Sequence, residues 1–225
     1  MFDTVLFDMD GTLLATLDDL HASVNYALAE CGLSQVSLDE TRLAAGYGSI
    51  VLIDETTHHA YPTDSPEFKR VHDAFTAHYN AHHNDTTKPY DGIPELLDAL
   101  NERGAKLAIV SNKADRDVEQ LRRLWFADSI PMAVGRVDGI PPKPAPDMVF
   151  KALERMGSTA DRAIYIGDSE PDAQVGKAAG CTTVCCTWGF RDRATLAAEH
   201  PDYLIDEPLE LLSIYDGKGA PHGRN

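Results

Sequence analysis

The sequence predicts a doubly wound α/β protein with a parallel sheet and an all-helical block inserted after its first strand. Three observations carry that expectation. Apolar runs without polar alternation recur at residues 4–7 (TVLF), 107–110 (LAIV), 163–166 (AIYI) and 182–187 (TTVCCT), and such runs suit strands covered on both faces. Helical stretches fall between them, giving the strand–helix alternation of a wound sheet. The alternation breaks once, over residues 15–87, where no buried strand can be read.

In chain order, strand 4–7 runs into Asp8-Met9-Asp10-Gly11-Thr12. Helices are then expected over 18–30, closed by Gly32, and over 37–45, 50–60 and 65–83, with Pro62, Pro66 and Pro89 as punctuation. Helix 94–102 has proline in its first turn and stops near Gly104, the usual asymmetry of helix ends. Strand 107–110 delivers Ser111-Asn112-Lys113. Helices 115–125 and 146–156 follow, the second closed by Gly157. Strand 163–166 delivers Gly167-Asp168-Ser169, and helix 171–179 ends at Gly180 before strand 182–187. The tail 217–225 is expected to fray.

The 225 residues suit one large domain or two modest ones, and 43% hydrophobic with 25% charged residues excludes disorder, collagen and coiled coil as overall readings. No stretch nears the ~20 apolar residues of a membrane span. The start, MFDTVLFDMD, lacks a basic region and carries acids, so no signal peptide is read and a cytoplasmic protein is expected. Cys31 stands alone, and Cys181, Cys185 and Cys186 crowd into one strand without CxxC spacing, which reads as small buried residues. Twenty basic against 36 acidic residues give a net charge of −16. Such a surface repels nucleic acid and anionic membranes, so neither is an expected partner. An anionic small molecule would need a local cation.

In an open parallel sheet, ligands bind beyond the carboxyl ends of the strands. Those ends carry Asp8 and Asp10, then Ser111 and Asn112, then Asp168, with Asp172 a helical turn further on. The loop Pro142-Lys143-Pro144-Ala145-Pro146 places one lysine before a helix. Clustered carboxylates repel one another unless a cation joins them or one is protonated. An all-oxygen set with few carboxylates favours Mg²⁺, which keeps waters and bridges to phosphate. With Lys143, it would supply the missing positive charge, and the pattern points to phosphoryl chemistry. Plainer readings stand beside this one. Asp8 and Asp10 suit a turn, Ser111 a helix N-cap, Asp168 and Asp172 a helix start, and Lys143 an exposed loop. His58, His59, His72, His78, His82 and His83 lie in the helical block. His78 and His82 are spaced for a transition metal, but no third ligand accompanies them and a solvated helix face is the expectation. Arg191 suits either a substrate contact or a structural turn.

DMDGTLL, the Ser111 strand end, the Lys143 loop and GDSEPD occur in this order, and together they resemble the haloacid dehalogenase superfamily, in its phosphoglycolate-phosphatase-like branch. The resemblance implies a Rossmann-like core over 1–14 and 88–225 with a helical C1-type cap over 15–87. It implies a phosphatase acting on a small phosphate monoester, as a monomer or homodimer. Asp8 would be the nucleophile that forms an aspartyl phosphate. Asp10 would act as general acid and base. Ser111, Asn112 and Lys143 would hold the phosphoryl group. Mg²⁺ would bind Asp8, the Asp10 carbonyl and Asp168, with Thr12 and Asp172 supporting them from behind. A phosphosugar mutase or pyrophosphatase would share these motifs. A receiver-type phospho-accepting module would share the residue types but not the helical insertion. Two departures stand out. Ala15 occupies a position that is often acidic in relatives, and the Gly46-Tyr47-Gly48 stretch is not followed by a basic residue, Arg42 being the nearest. A carboxylate-bearing substrate such as phosphoglycolate would want a cation there.

Overall fold

A computed structural model describes residues 1–219 and resolves them into two compact units. The first comprises Met1–Leu14 with the described chain from Pro89 onward; the second is Ala15–Lys88.

The first unit is built on a six-stranded sheet. Its strands are β1 (Thr4–Phe7), β4 (Lys106–Ala114), β5 (Met132–Arg136), β6 (Ala163–Gly167), β7 (Thr182–Cys186) and β8 (Tyr203–Ile205), in the spatial order β5-β4-β1-β6-β7-β8. Every pairing is parallel. Central β1 pairs Thr4 with Lys106 on one side and with Ala163 on the other. Strands β2 (Leu14–Ala15) and β3 (Lys88–Pro89) form a separate two-stranded ribbon where the chain leaves the unit and returns.

Helices α5 (Ile93–Glu102), α6 (Asp115–Phe126), α7 (Asp147–Met156), α8 (Glu170–Ala179), α9 (Arg193–Ala198) and α10 (Glu210–Tyr215) complete this unit. Alternate side chains of β1 enter opposite cores, Val5 and Phe7 packing with Leu96, Ile109 and Ile166, and Leu6 with Ala108, Met148 and Tyr165. Both faces of the strand are covered, which is why its sequence shows no polar alternation. This double burial fixes the end of β1, and with it Asp8, at the centre of the sheet's carboxyl edge.

Strands β5 and β8 lie outside the expected set. Both are edges, and β5 carries Gly135, whose added Cβ would stand 2.4 Å from the Asp115 backbone. Short, half-buried edge strands with an internal glycine leave little periodic signal. Helices α9 and α10 are also additions, only six residues each.

The second unit holds α1 (Leu17–Glu30), α2 (Leu38–Ala44), α3 (Ser49–Thr56) and α4 (Pro66–His82). Leu20, Val24, Ala27 and Leu28 line the buried side of α1, and Phe68, Val71, Phe75 and Tyr79 that of α4; the two helices pack together. Ser37 and Ser65 cap α2 and α4 through their side chains. Helix α3 stops four residues short of the expected boundary at 60, where His58 and His59 adopt left-handed backbone (φ 52° and 56°). The tail is ordered at its start, since Gly217 and Lys218 donate to the Ile214 and Ser213 carbonyls; residues 220–225 lie outside the described chain. Among the described residues, no helix is long and apolar enough to cross a membrane.

Candidate active site

Asp8 follows β1 directly and donates its backbone N–H to the Ile166 carbonyl at 2.9 Å. The chain then turns at Gly11, whose φ of +82° and contact with Asp168 both demand glycine, because a Cβ there would stand 2.2 Å from Asp168 Oδ2. Asp168 follows β6 and is fully buried. Its Oδ1 accepts from Thr12 Oγ1 at 2.9 Å and its Oδ2 from the Phe190 N–H at 2.7 Å. Asp172, on the first turn of α8, is also fully buried. Asp8, Asp168 and Asp172 each offer a carboxylate oxygen within 4.8 Å of the others.

Lys143 enters this cluster with its side chain wholly buried. Its Nζ donates to Asp172 Oδ1 at 2.6 Å and to Tyr165 Oη at 3.1 Å. It lies 3.0 Å from Asp8 Oδ1, but off the direction of a hydrogen bond, so that buried oxygen has no hydrogen-bond partner. Tyr165 Oη is also 3.1 Å from Asp172 Oδ1 and from the Val110 carbonyl. Asp172 Oδ2 accepts from Ser169 N at 3.1 Å and from Ser169 Oγ. Asp172 is therefore held by hydrogen bonds on both oxygens, whereas Asp8 Oδ1 has the Lys143 ion pair and no hydrogen bond.

A model of the family described as haloacid dehalogenase-like hydrolase matches residues 5–186, a span that includes every residue of this cluster. The chain belongs to that family. A phosphoglycolate phosphatase of Aquifex aeolicus is 31% identical over 94% of this chain and 96% of its own length. An N-acetylmuramic acid 6-phosphate phosphatase of Pseudomonas aeruginosa is 32% identical over 94% of each chain. A crystal structure from Lactobacillus delbrueckii subsp. bulgaricus, assigned as a phosphoglycolate phosphatase, superposes with a TM-score of 0.88 at 29% identity, covering 95% of this chain and 98% of that one. The protein is a phosphatase of this family.

The family's site has a charge imbalance here. Three buried carboxylates (Asp8, Asp168, Asp172) face one buried ammonium, leaving two negative charges unmatched. Burial pushes the Asp8 carboxyl up to about 7, reinforced by the charges of Asp172 and Asp10 and opposed by Lys143. Asp168 is pushed well above the carboxylate range by burial, then by Asp172 and Asp8. Burial alone would lower the Lys143 ammonium, but Asp172 and Asp8 reverse that and raise it. A divalent cation fits this set: it would offset the unmatched charge and meet the Asp8 oxygen that has no hydrogen bond, in an all-oxygen donor set suited to Mg²⁺.

The remaining expected residues fall into place unevenly. Ser111 is buried at the end of β4, its Oγ 3.4 Å from the Lys113 N–H. It is not a helix cap, since α6 begins after Ala114. Asn112, expected at the phosphate, uses its amide on a neighbouring loop: Oδ1 accepts from Lys143 N at 2.7 Å and Nδ2 donates to Lys143 O at 3.1 Å. Its evident work is to seat Lys143. The Asp10 side chain faces Lys113, whose Nζ lies 3.0 and 2.9 Å from its two oxygens. Arg191 is buried against Glu170 at 2.7 Å. His78 and His82 stack with ring centroids 4.3 Å apart, and His82 pairs with Asp85. Among the described residues, neither joins a group of three metal-ligating side chains.

Sequence reasoning missed Tyr165 and Lys113. Tyr165 sits inside an apolar run and reads as core; its contact with the Val110 carbonyl, two strands over, is invisible without the β4–β1–β6 order. Lys113 lies one residue past Asn112 and carries no motif signal of its own.

Proposed function

We propose that the protein is a Mg²⁺-dependent phosphatase that hydrolyses a small phosphate monoester through an aspartyl phosphate on Asp8. The observation that carries this reading is the buried Asp8 oxygen without a hydrogen bond, set in a cluster two negative charges in excess. A carboxylate so placed is positioned to meet an electrophile and a cation.

Asp8, the Asp10 carbonyl and Asp168 would hold the ion. When bound, Mg²⁺ supplies positive charge against which a phosphoryl dianion can approach three acids. In the first step an Asp8 oxygen attacks phosphorus, the bond to the ester oxygen breaks, and Asp10 gives that oxygen a proton. In the second, Asp10 takes a proton from water as the water oxygen attacks phosphorus. The acyl phosphate bond breaks, Asp8 is regenerated as carboxylate, and inorganic phosphate leaves. Lys143 stays beside the Asp8 oxygen and the phosphoryl group throughout, its position fixed by Asp172 and Tyr165. Ser111 would donate to a phosphoryl oxygen. Positioning and charge dominate because the transferring group makes few covalent demands.

The helical unit Ala15–Lys88 is read as a cap that excludes water and selects the ester. Its support is connectivity: the insertion begins at Ala15, directly after the loop that carries Asp10. Core residues alone do not name the ester, since two relatives each 32% identical carry names with different substrates.

The test is a panel of phosphate monoesters (phosphoglycolate, sugar phosphates, nucleotides, pyridoxal phosphate) with pyrophosphate, in Mg²⁺ and in EDTA. Many turnovers per protein are expected with Mg²⁺ and none in EDTA, and Asp8→Asn should abolish release while keeping the circular dichroism spectrum. Retained turnover in Asp8→Asn removes the nucleophile.

A further inference from the structure

The proposed chemistry assigns no role to Lys113, yet it is one of the two lysines within the site. Its side chain is 7% exposed and the Asp10 side chain 16%. The ammonium straddles the carboxylate, 3.0 Å from Oδ1 and 2.9 Å from Oδ2. A mostly buried ion pair of this kind is not explained by surface solubility, because desolvating both charges is costly and removing either partner strands the other.

The backbone around Lys113 is arranged to deliver it. The β4–β5 register shifts between Val110 and Ala114, an irregularity of the kind that re-aims side chains beside active sites. Just beyond it, Asp115 Oδ1 accepts the Gly135 N–H at 2.9 Å, tying this stretch to β5. On the opposite side, Asp10 lies on a short turn closed by the Gly11 N–H to the Leu14 carbonyl at 2.9 Å. Both carboxylate oxygens of Asp10 accept from the Lys113 ammonium, which fixes the plane of the carboxylate.

We infer that Lys113 is a positioning residue that holds the Asp10 carboxyl in line with the ester oxygen and then with the attacking water. One carboxyl oxygen exchanges the proton while the other stays on the ammonium, so the orientation persists through both steps. This inference rests on the acid–base role proposed for Asp10.

The experiment compares leaving groups. An alkoxide leaving oxygen needs a proton in the transition state; p-nitrophenolate needs almost none. Lys113→Met is assayed on p-nitrophenyl phosphate and on the fastest alkyl monoester of the panel, phosphoglycolate or a sugar phosphate. General acid help is worth roughly 10²–10⁴-fold, so a loss of about 10²-fold is expected on the alkyl ester. On p-nitrophenyl phosphate the loss should stay within about threefold. Lys113→Arg, which can still bridge both oxygens, should recover most of the alkyl activity. In an Asp10→Asn background, Lys113→Met should leave the ratio of the two rates unchanged. Equal losses on both esters, no loss on either, or an added effect in Asp10→Asn would overturn the inference. If Lys113→Met fails to fold, the same comparison is read from Lys113→Gln and Lys113→Arg. A wild type that releases phosphate from neither ester would instead defeat the proposed phosphatase chemistry itself.

Discussion

Replacing Asp8, the proposed nucleophile, should make the metal-free protein more stable. In the absence of a cation, burial holds the Asp8 carboxyl at about 7 instead of its ordinary 3.8. At ~1.36 kcal/mol for each tenfold change in proton affinity, that rise is worth about 4 kcal/mol. The sign follows from proton binding. Between pH 4 and 7 the folded protein keeps a proton on Asp8 that the unfolded chain has lost, so stability falls as pH rises through this window and levels off above it. Asp8→Asn keeps the shape and removes the titration. Because Asp168 shares the same excess charge, the variant should recover on the order of 2–4 kcal/mol at pH 8 in EDTA, a rise of roughly 5–10 °C in melting temperature for a chain of this size. The gap between variant and wild type should widen by up to about 1.4 kcal/mol per pH unit from 4 to 7 and then stay constant. Saturating Mg²⁺ should narrow it, since the ion stabilises the ionised acid only in the wild type. Urea or thermal unfolding across pH 4–9, with and without Mg²⁺, measures all of this. A variant no more stable than wild type at pH 8 in EDTA, or a gap that does not change with pH, would refute the charge-excess account of the site.

Two other substitutions probe the scaffold. Gly11→Ala forces a Cβ to within 2.2 Å of Asp168 Oδ2 at a φ of +82°; phosphate release should fall at least ~10²-fold from displacement of a carboxylate alone, and unaltered kinetics would show the loop to be more pliable than drawn. Asp19 accepts from the N–H and hydroxyl groups of both Thr86 and Thr87, so Asp19→Ala should cost about 2–4 kcal/mol in urea unfolding; those bonds hold the Asp19 carboxyl below its usual range against the effect of burial, and the contribution should fade as pH drops below 4.

Most of the fold could be read because its central strands are buried on both faces. The runs at β1, β4, β6 and β7 are short, apolar and unalternating, and those of β1, β4 and β6 lead into polar residues of the site. What escaped reading lay at the margins or depended on spatial order. Strand β8 is three residues long. Strand β5 is only partly buried. Asp172 illustrates the limit within the site. Its place in GDSEPD marks it as a site residue, but only the packed sheet shows that Tyr165, Ser169 and Lys143 saturate it while Asp8 is left open. Asn112 is similar: its type suits an anion contact, and its actual partners are the two backbone groups of Lys143, 31 residues away in sequence.

The arrangement of charge bears on how an acidic phosphatase receives an anion. Of the cations in the site, Lys143 is matched by Asp172 and Asp8, and Lys113 by Asp10. Neither lysine is an unbalanced positive charge that could draw a phosphate in from a surface carrying a net −16. Their geometry suits another purpose, holding three specific carboxylates at fixed orientations. On the proposed reading, the positive charge that binds the ester would come with the metal, and these acids would serve first as a cation site and only then as a phosphate site. That order would account for a paradox in the sequence, a phosphatase whose buried acids outnumber its buried lysines: the excess of carboxylates would recruit the divalent ion proposed for the site.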